Sequence, residues 1–142
     1  MTVDHIGIAV SSIEESAAFY AKALGLKLAH REETPGHGVR VAFLGAPGEK
    51  AMIELLEPAD EDGPIAKFLR SRGPGLHHLA FAASGIEAEM SRIAGLGVTP
   101  IDRTPRPGSR RTRVCFLHPK DCGGVLVELV EHRIAPPSTW TS

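Results

Sequence analysis

Cysteine is scarce in this chain: Cys115 and Cys122 are the only two in 142 residues. Two cysteines are too few for a disulfide framework, and their spacing is not that of a metal finger. A reduced, cytoplasmic setting is therefore expected. Long apolar runs are also missing. No stretch approaches the ~18 apolar residues of a membrane span. The N-terminus, with Asp4 and His5, lacks the basic flank and long apolar segment of a signal peptide. A soluble protein is expected, with no membrane partner. Excess charge is the third absence. A formal net charge of −1 provides no bulk attraction to nucleic acid or to an acidic membrane. What remains is a chain with 42% hydrophobic residues, enough to bury a sizeable core. Its length suits one ordinary domain or two small modules sharing a core.

The chain repeats itself. Val3–Ile8 (Val-Asp-His-Ile-Gly-Ile) is echoed by Leu76–Phe81 (Leu-His-His-Leu-Ala-Phe). His5 maps on His78, Ile13 on Ile86, and Val41–Leu44 on Val114–Leu117, all at one offset (78 − 5 = 73). Met52–Glu57 maps on Leu126–Glu131 with one residue of slip (128 − 54 = 74). Four anchors in register indicate a duplicated module.

Each copy reads as strand, helix and three strands. Val3–Val10 alternates as a strand, with His5, Gly7 and Ala9 on one face and Asp4, Ile6 and Ile8 on the other. Ser12 and Glu15 form a capping box ahead of a helix with Ile13, Ala17, Tyr20 and Leu24 on one stripe, stopped at Gly25. Strands follow at Leu26–His30, Val39–Leu44 and Ala51–Leu56, with Glu32–Gly38 as a loop. Pro64 opens a short linking helix that ends before Gly73. The order then recurs. A strand at Leu76–Ala83 precedes a second capping box at Ser84 and Glu87 and a helix carrying Ile86, Met90 and Ile93. Strands at Val98–Asp102, Thr112–Leu117 and Val125–Glu131 complete the copy, and a loose tail follows from Arg133. The expected architecture is an α+β single domain over residues 1–142. It is built of two tandem βαβββ modules, at about 3–58 and 76–132, with the linking helix at about 64–72.

Each module places one histidine on its first strand and one glutamate on its last: His5 with Glu54, and His78 with Glu128. Two imidazoles and two carboxylates suit a divalent ion such as Zn, Co, Ni or Mn. A lone strand histidine is usually an ordinary core or edge residue. A glutamate flanked by apolar residues, as in Ile53-Glu54-Leu55, is rarer because burying a bare carboxylate is costly, and repetition in register favours ligands. His77 falls on the opposite face and is assigned a structural role. His118 either contacts substrate or is a solvated turn residue, and His30, His37 and His132 carry no assigned role. Glu57 and Glu131 read as solvated. The arginines between Arg103 and Arg113 read either as a solvated basic loop or as an anchor for a phosphorylated ligand.

These residues resemble the vicinal oxygen chelate superfamily. Within it they are similar to the methylmalonyl-CoA epimerases, through Asp4–Ala9, Glu54–Pro58, Pro64–Leu69, Gly75–Phe81 and the long run Phe116–Leu129. The resemblance covers Val3 to Glu131. It implies that the two modules form a curved mixed sheet around a metal site, with metal ligands at His5, Glu54, His78 and Glu128, and a CoA thioester as substrate. It also implies a homodimer, and epimerisation at the carbon between a thioester and a carboxylate. Glu128 and Glu54 are then the implied catalytic acid/base residues. Where some members carry a further glutamate, proposed as a base, this chain has Val41. The alternatives are a glyoxalase I-like isomerase using the same ligands, and a metal-free ligand-binding protein on the same fold.

Overall fold

The structure, a computed structural model, describes residues 1–34 and 38–133. The expected α+β pattern is present twice. The first module holds β1 (Val3–Ala9), α1 (Ile13–Leu24), β2 (Lys27–Thr34), β3 (Val39–Gly45) and β4 (Met52–Pro58). The linking helix α2 is Pro64–Arg72. The second module holds β5 (Gly75–Ala82), α3 (Ile86–Gly95), β6 (Arg106–Pro107), β7 (Thr112–Leu117) and β8 (Val127–His132). The chain forms two compact units. Among described residues, one comprises 6–34 and 38–77, with strand order β2-β3-β4-β1, and the other comprises 1–5 and 78–133, with order β1-β5-β8-β7-β6. β1 contributes to both. The pairing is mixed: β5 and β8 run parallel, whereas β2/β3, β3/β4, β6/β7 and β7/β8 are antiparallel.

Local chemistry explains the helix ends. Ser12 accepts the Glu15 amide at 3.2 Å, and Gly25 stops α1 at φ 70°, a left-handed conformation that costs glycine little. The corresponding cap of α3 differs from expectation. Gly85, not Ser84, is the capping residue, and it has no side chain to offer. Glutamates from the last strands supply the missing acceptors. Glu57 accepts the Ile13 amide at 2.9 Å and Glu131 accepts the Ile86 amide at 3.3 Å. These two carboxylates are therefore not simply solvated. Each satisfies an orphan N–H at the positive end of a helix, and the repeat holds down to this contact.

Two strand boundaries also differ. β2 continues through Glu32 and Glu33 to Thr34, where a loop is expected, because its polar residues pair along β3 on a sheet edge. Val98–Asp102 forms no strand and contributes one bridge, Pro100 to Leu117. Prolines at 100 and 105 remove ladder donors there, and the Asp102 carboxylate takes the Phe116 amide instead at 2.9 Å. The edge strand of the second module shrinks to Arg106–Pro107. The one-residue slip of the repeat lies in the β7–β8 connection: Leu44 pairs with Ile53, whereas Leu117 pairs with Val127. Most of the expected tail, 134–142, lies outside the described residues.

Alternation along the last strand sorts the core. On β4, Ile53 and Leu55 join Ile13, Ala42 and Leu44 under α1, while Met52 and Leu56 join Val41, Phe43 and Ile65 on the α2 side. Glu54 sits between Met52 and Leu56 and takes the second face. On β8, Leu129 packs under α3 with Ile86, Ile93 and Cys115, and Val130 faces Ala80 and Val114 on the other side. Leu55 is fully buried, so Leu55→Ala is expected to destabilise the protein by about 2–5 kcal/mol through lost burial and a residual cavity. Urea unfolding checks this: an unchanged midpoint would mean that the α1 face is not a packed core.

Candidate metal centre

Three of the four expected ligands converge within the unit of residues 1–5 and 78–133. β1 delivers His5, β5 delivers His78 and β8 delivers Glu128, and all three are buried. Parallel pairing of Ala80 with Glu128 sets the relative register of β5 and β8. His5 Nε2 lies 3.1 Å from His78 Nε2 and 3.0 Å from Glu128 Oε1, and His78 Nε2 lies 3.8 Å from that oxygen. Phe116, opposite Glu128 in the β7/β8 register, packs edge-on against the His78 ring at 5.9 Å.

Glu54 lies in the other unit, buried on β4 opposite Phe43. Phe43 with Glu54 thus reproduces Phe116 with Glu128, the same cross-strand pair in each module. Glu54 is the register counterpart of Glu128, as His5 is of His78.

The tautomer of His5 is set from behind. Its Nδ1 is 2.7 Å from Asp4 Oδ2. Donation of Nδ1–H to that carboxylate selects the neutral tautomer with a bare lone pair on Nε2, the form a metal ligand requires. Asp4 is a hub: it also accepts from Arg110 Nη2 at 2.6 Å and from His132 Nε2 at 2.6 Å. Burial alone would raise its pKa. Hydrogen bonds from His132 and His5 and the Arg110 charge outweigh that and hold Asp4 ionised, well below the usual carboxylate range.

The donor set fits a divalent cation. His5 Nε2, His78 Nε2 and Glu128 Oε1 are electron-rich atoms turned on one another at contact distance. Glu128 Oε1 is buried and, among the described residues, accepts no aligned hydrogen bond despite its proximity to His5. A divalent cation would be held by these nitrogen and oxygen donors together.

Asp4, Arg110 and His132 were not singled out as a group by the sequence. Strand alternation turned Asp4 away from His5, and His132 stands at the far end of the chain. Arg110 was one of several arginines. It reaches Asp4 from the turn Ser109–Arg111, where Arg110 and Arg111 both adopt left-handed backbone at φ 59° and 58°, a conformation non-glycine residues rarely take. Three arginines of the basic segment, Arg106, Arg110 and Arg113, are thus engaged in intramolecular ion pairs. Arg113 pairs with Glu131 and Glu87, and Arg106 pairs with Asp102 at 3.4 Å while its guanidinium lies over the Phe116 ring at 5.3 Å. Arg103, Arg106 and Arg111 are the exposed arginines of the segment. His77 has the expected structural place, edge-on to Phe68 at 5.0 Å. His118 caps a turn by accepting the Lys120 amide at 3.3 Å, and His37 lies outside the described residues.

Residues 4–116 match the Glyoxalase/Bleomycin resistance protein/Dioxygenase superfamily. The chain belongs to that superfamily. Among its relatives in the superfamily is the ethylmalonyl-CoA/methylmalonyl-CoA epimerase of Cereibacter sphaeroides, 39% identical over 129 residues, covering 89% of this chain and 95% of that one. The crystal structure of methylmalonyl-CoA epimerase from Mycobacterium tuberculosis superposes with a TM-score of 0.89 at 43% identity, over 94% of this chain and 89% of that one. A variant of Streptomyces coelicolor methylmalonyl-CoA epimerase in complex with 2-nitronate-propionyl-CoA gives a TM-score of 0.89 at 38% identity, over 94% and 99% of the two chains. Superfamily members of this fold perform several different reactions, so function is argued from the site and not from the fold alone. No helix among the described residues is long and apolar enough to cross a membrane.

Proposed function

We propose that this chain is an isomerase that interconverts the two epimers of methylmalonyl-CoA, working as a single domain with a divalent metal. The cluster of His5, His78 and Glu128, with His5 held in its ligand tautomer by Asp4, is the observation that carries the reading. Glu54 is assigned as the fourth ligand on its register equivalence to Glu128. The names of the relatives supply the substrate class. A glyoxalase I-like reaction would use the same four ligands, and the long Phe116–Leu129 run favours the epimerase over it. A metal-free binding protein has no use for an in-register His/Glu pair in each module.

The reaction needs a proton removed from the carbon between thioester and carboxylate, then returned on the opposite face. A divalent ion held by this set, with Co, Mn, Zn and Ni all suited to its N/O donors, supplies Lewis acidity toward the charge that develops on the thioester oxygen. Glu128 is assigned as one acid/base, and Glu54 as its counterpart in the other module. Their burial keeps bulk water from competing for the proton. A cytoplasmic homodimer acting on a CoA thioester is the corresponding biological form.

The test is solvent deuterium exchange into methylmalonyl-CoA by the purified protein, with and without added Co, Mn, Ni or Zn, set against turnover of a glutathione–methylglyoxal adduct. Exchange and inversion that depend on metal are expected, and Glu128→Ala is expected to lose about 10²–10⁴-fold in rate. A Glu128→Ala protein with full activity would remove the assigned base, and turnover of only the glutathione adduct would remove the epimerase reading.

A further inference from the structure

We infer that His30, oriented by Glu32, is a proton-transfer residue of the first module, set opposite Phe43 by a β-bulge that also sets Glu32 opposite Val41; the inference rests on the epimerase reading. Simple alternation along β2 would put Leu26, Leu28 and His30 on one face. Leu26 packs with the α1 cluster, and Leu28 pairs with Leu44 of that same cluster. His30 would follow them under α1. It does not, because the β2/β3 register shifts between Leu28 and His30. One extra residue there turns the strand over. His30 then pairs with Phe43, and Glu32 with Val41. Phe43 in turn pairs with Glu54, and Val41 with Leu56. A row His30–Phe43–Glu54 therefore crosses three strands on one face, with His30 about 10 Å from Glu54 at two strand spacings. Bulges of this kind re-aim side chains beside active sites.

The pair is built as an acid/base. His30 Nε2 lies 2.7 Å from Glu32 Oε2, and the imidazole ring leans over Phe43 with centroids 6.2 Å apart. Donation of Nε2–H to Glu32 leaves the Nδ1 lone pair as the proton acceptor. Both side chains are partly exposed, 39% for His30 and 29% for Glu32, so a substrate can reach them. Val41 itself is buried and cannot take a proton, and Glu54 carries ligand duty. His30 offers the same face a base without that duty, and on this inference it takes over the acid/base role given to Glu54 under the proposed function, leaving Glu54 as a ligand.

The step balances as follows. The C–H bond of the substrate breaks and its proton passes to His30 Nδ1, giving an imidazolium paired with the Glu32 carboxylate. The electron pair delocalises into the thioester carbonyl as an enolate. A protonated acid, the role given to Glu128 under the proposed function, then forms the new C–H bond on the other face of the enolate. In the reverse direction His30 is the donor.

The experiment follows each pure epimer in deuterated solvent with the metal-loaded protein. His30→Ala is expected to slow inversion in both directions about 10²-fold or more. Deuterium wash-in without inversion is expected to persist from one epimer only, with metal content unchanged. Added imidazole should restore part of the lost rate. Glu32→Ala should show the same one-sided pattern more weakly, and Glu32→Asp less still, because Glu32 is a positioning residue. If His30→Ala is poorly folded, His30→Gln keeps a polar side chain of similar reach, and the same one-sided loss is required of it. Full inversion by these His30 variants, or equal loss of exchange from both epimers without imidazole rescue, overturns the inference. A wild-type protein that neither exchanges nor inverts either epimer instead overturns the epimerase reading.

Discussion

His78→Ala and His5→Ala each leave the purified protein without bound metal, whereas His77→Ala leaves it loaded. This is the result expected if the register of the repeat selects the ligands. His77 and His78 are adjacent and chemically identical, so composition cannot separate them. The strand does: His78 is buried with its Nε2 beside His5 Nε2 and Glu128 Oε1, while His77 packs against Phe68. Loss of one imidazole from a site with few protein donors removes a large part of the binding free energy, which for structural zinc sites is about 10–16 kcal/mol in all. Elemental analysis after dialysis against a weak chelator reads the outcome directly. Metal retained by His5→Ala or His78→Ala, or lost from His77→Ala, would sink the assignment. Circular dichroism on the same samples separates loss of ligand from loss of fold.

The second large effect is at Asp4. Asp4→Ala removes the acceptor shared by His5, Arg110 and His132. Arg110 then keeps its charge in a largely enclosed place, with 12% of its side chain exposed. Breaking a buried pair in this one-sided way costs about 3–5 kcal/mol. The residual water contact of Arg110 argues for the lower end, about 3 kcal/mol. Asp4→Asn separates the two roles of the residue. It preserves shape, but its amide no longer enforces the His5 tautomer, and metal affinity is expected to fall by about 10–100-fold. Denaturant unfolding of the metal-free protein reads the first effect and a metal titration reads the second. An Asp4→Asn protein that binds metal as tightly as the wild type would show that His5 needs no partner behind it.

The sequence by itself determined the module, its duplication and the identity of the candidate ligands. These properties are periodic and local. Alternation at period two separates His5 from Asp4 and His78 from His77, and Ser12 and Gly25 mark helix ends through their own backbone chemistry. A constant offset between copies needs no coordinates. Even the one-residue slip was visible, and the structure locates it in the β7–β8 turn. The tertiary structure decided whatever depends on residues far apart in the chain or on a break in alternation. His132 meets Asp4 across 128 positions. Glu57 and Glu131 cap helices that begin over forty residues earlier. Arg110 reaches the same carboxylate only through an unusual backbone conformation. The bulge in β2 reverses the face of His30 and Glu32, and no periodic reading of Leu26–Thr34 can foresee a reversal of its own period. The repeat therefore names the candidate ligands, while packing selects the groups placed against them, because hydrogen bonds at this range are made by folding and not by sequence neighbours.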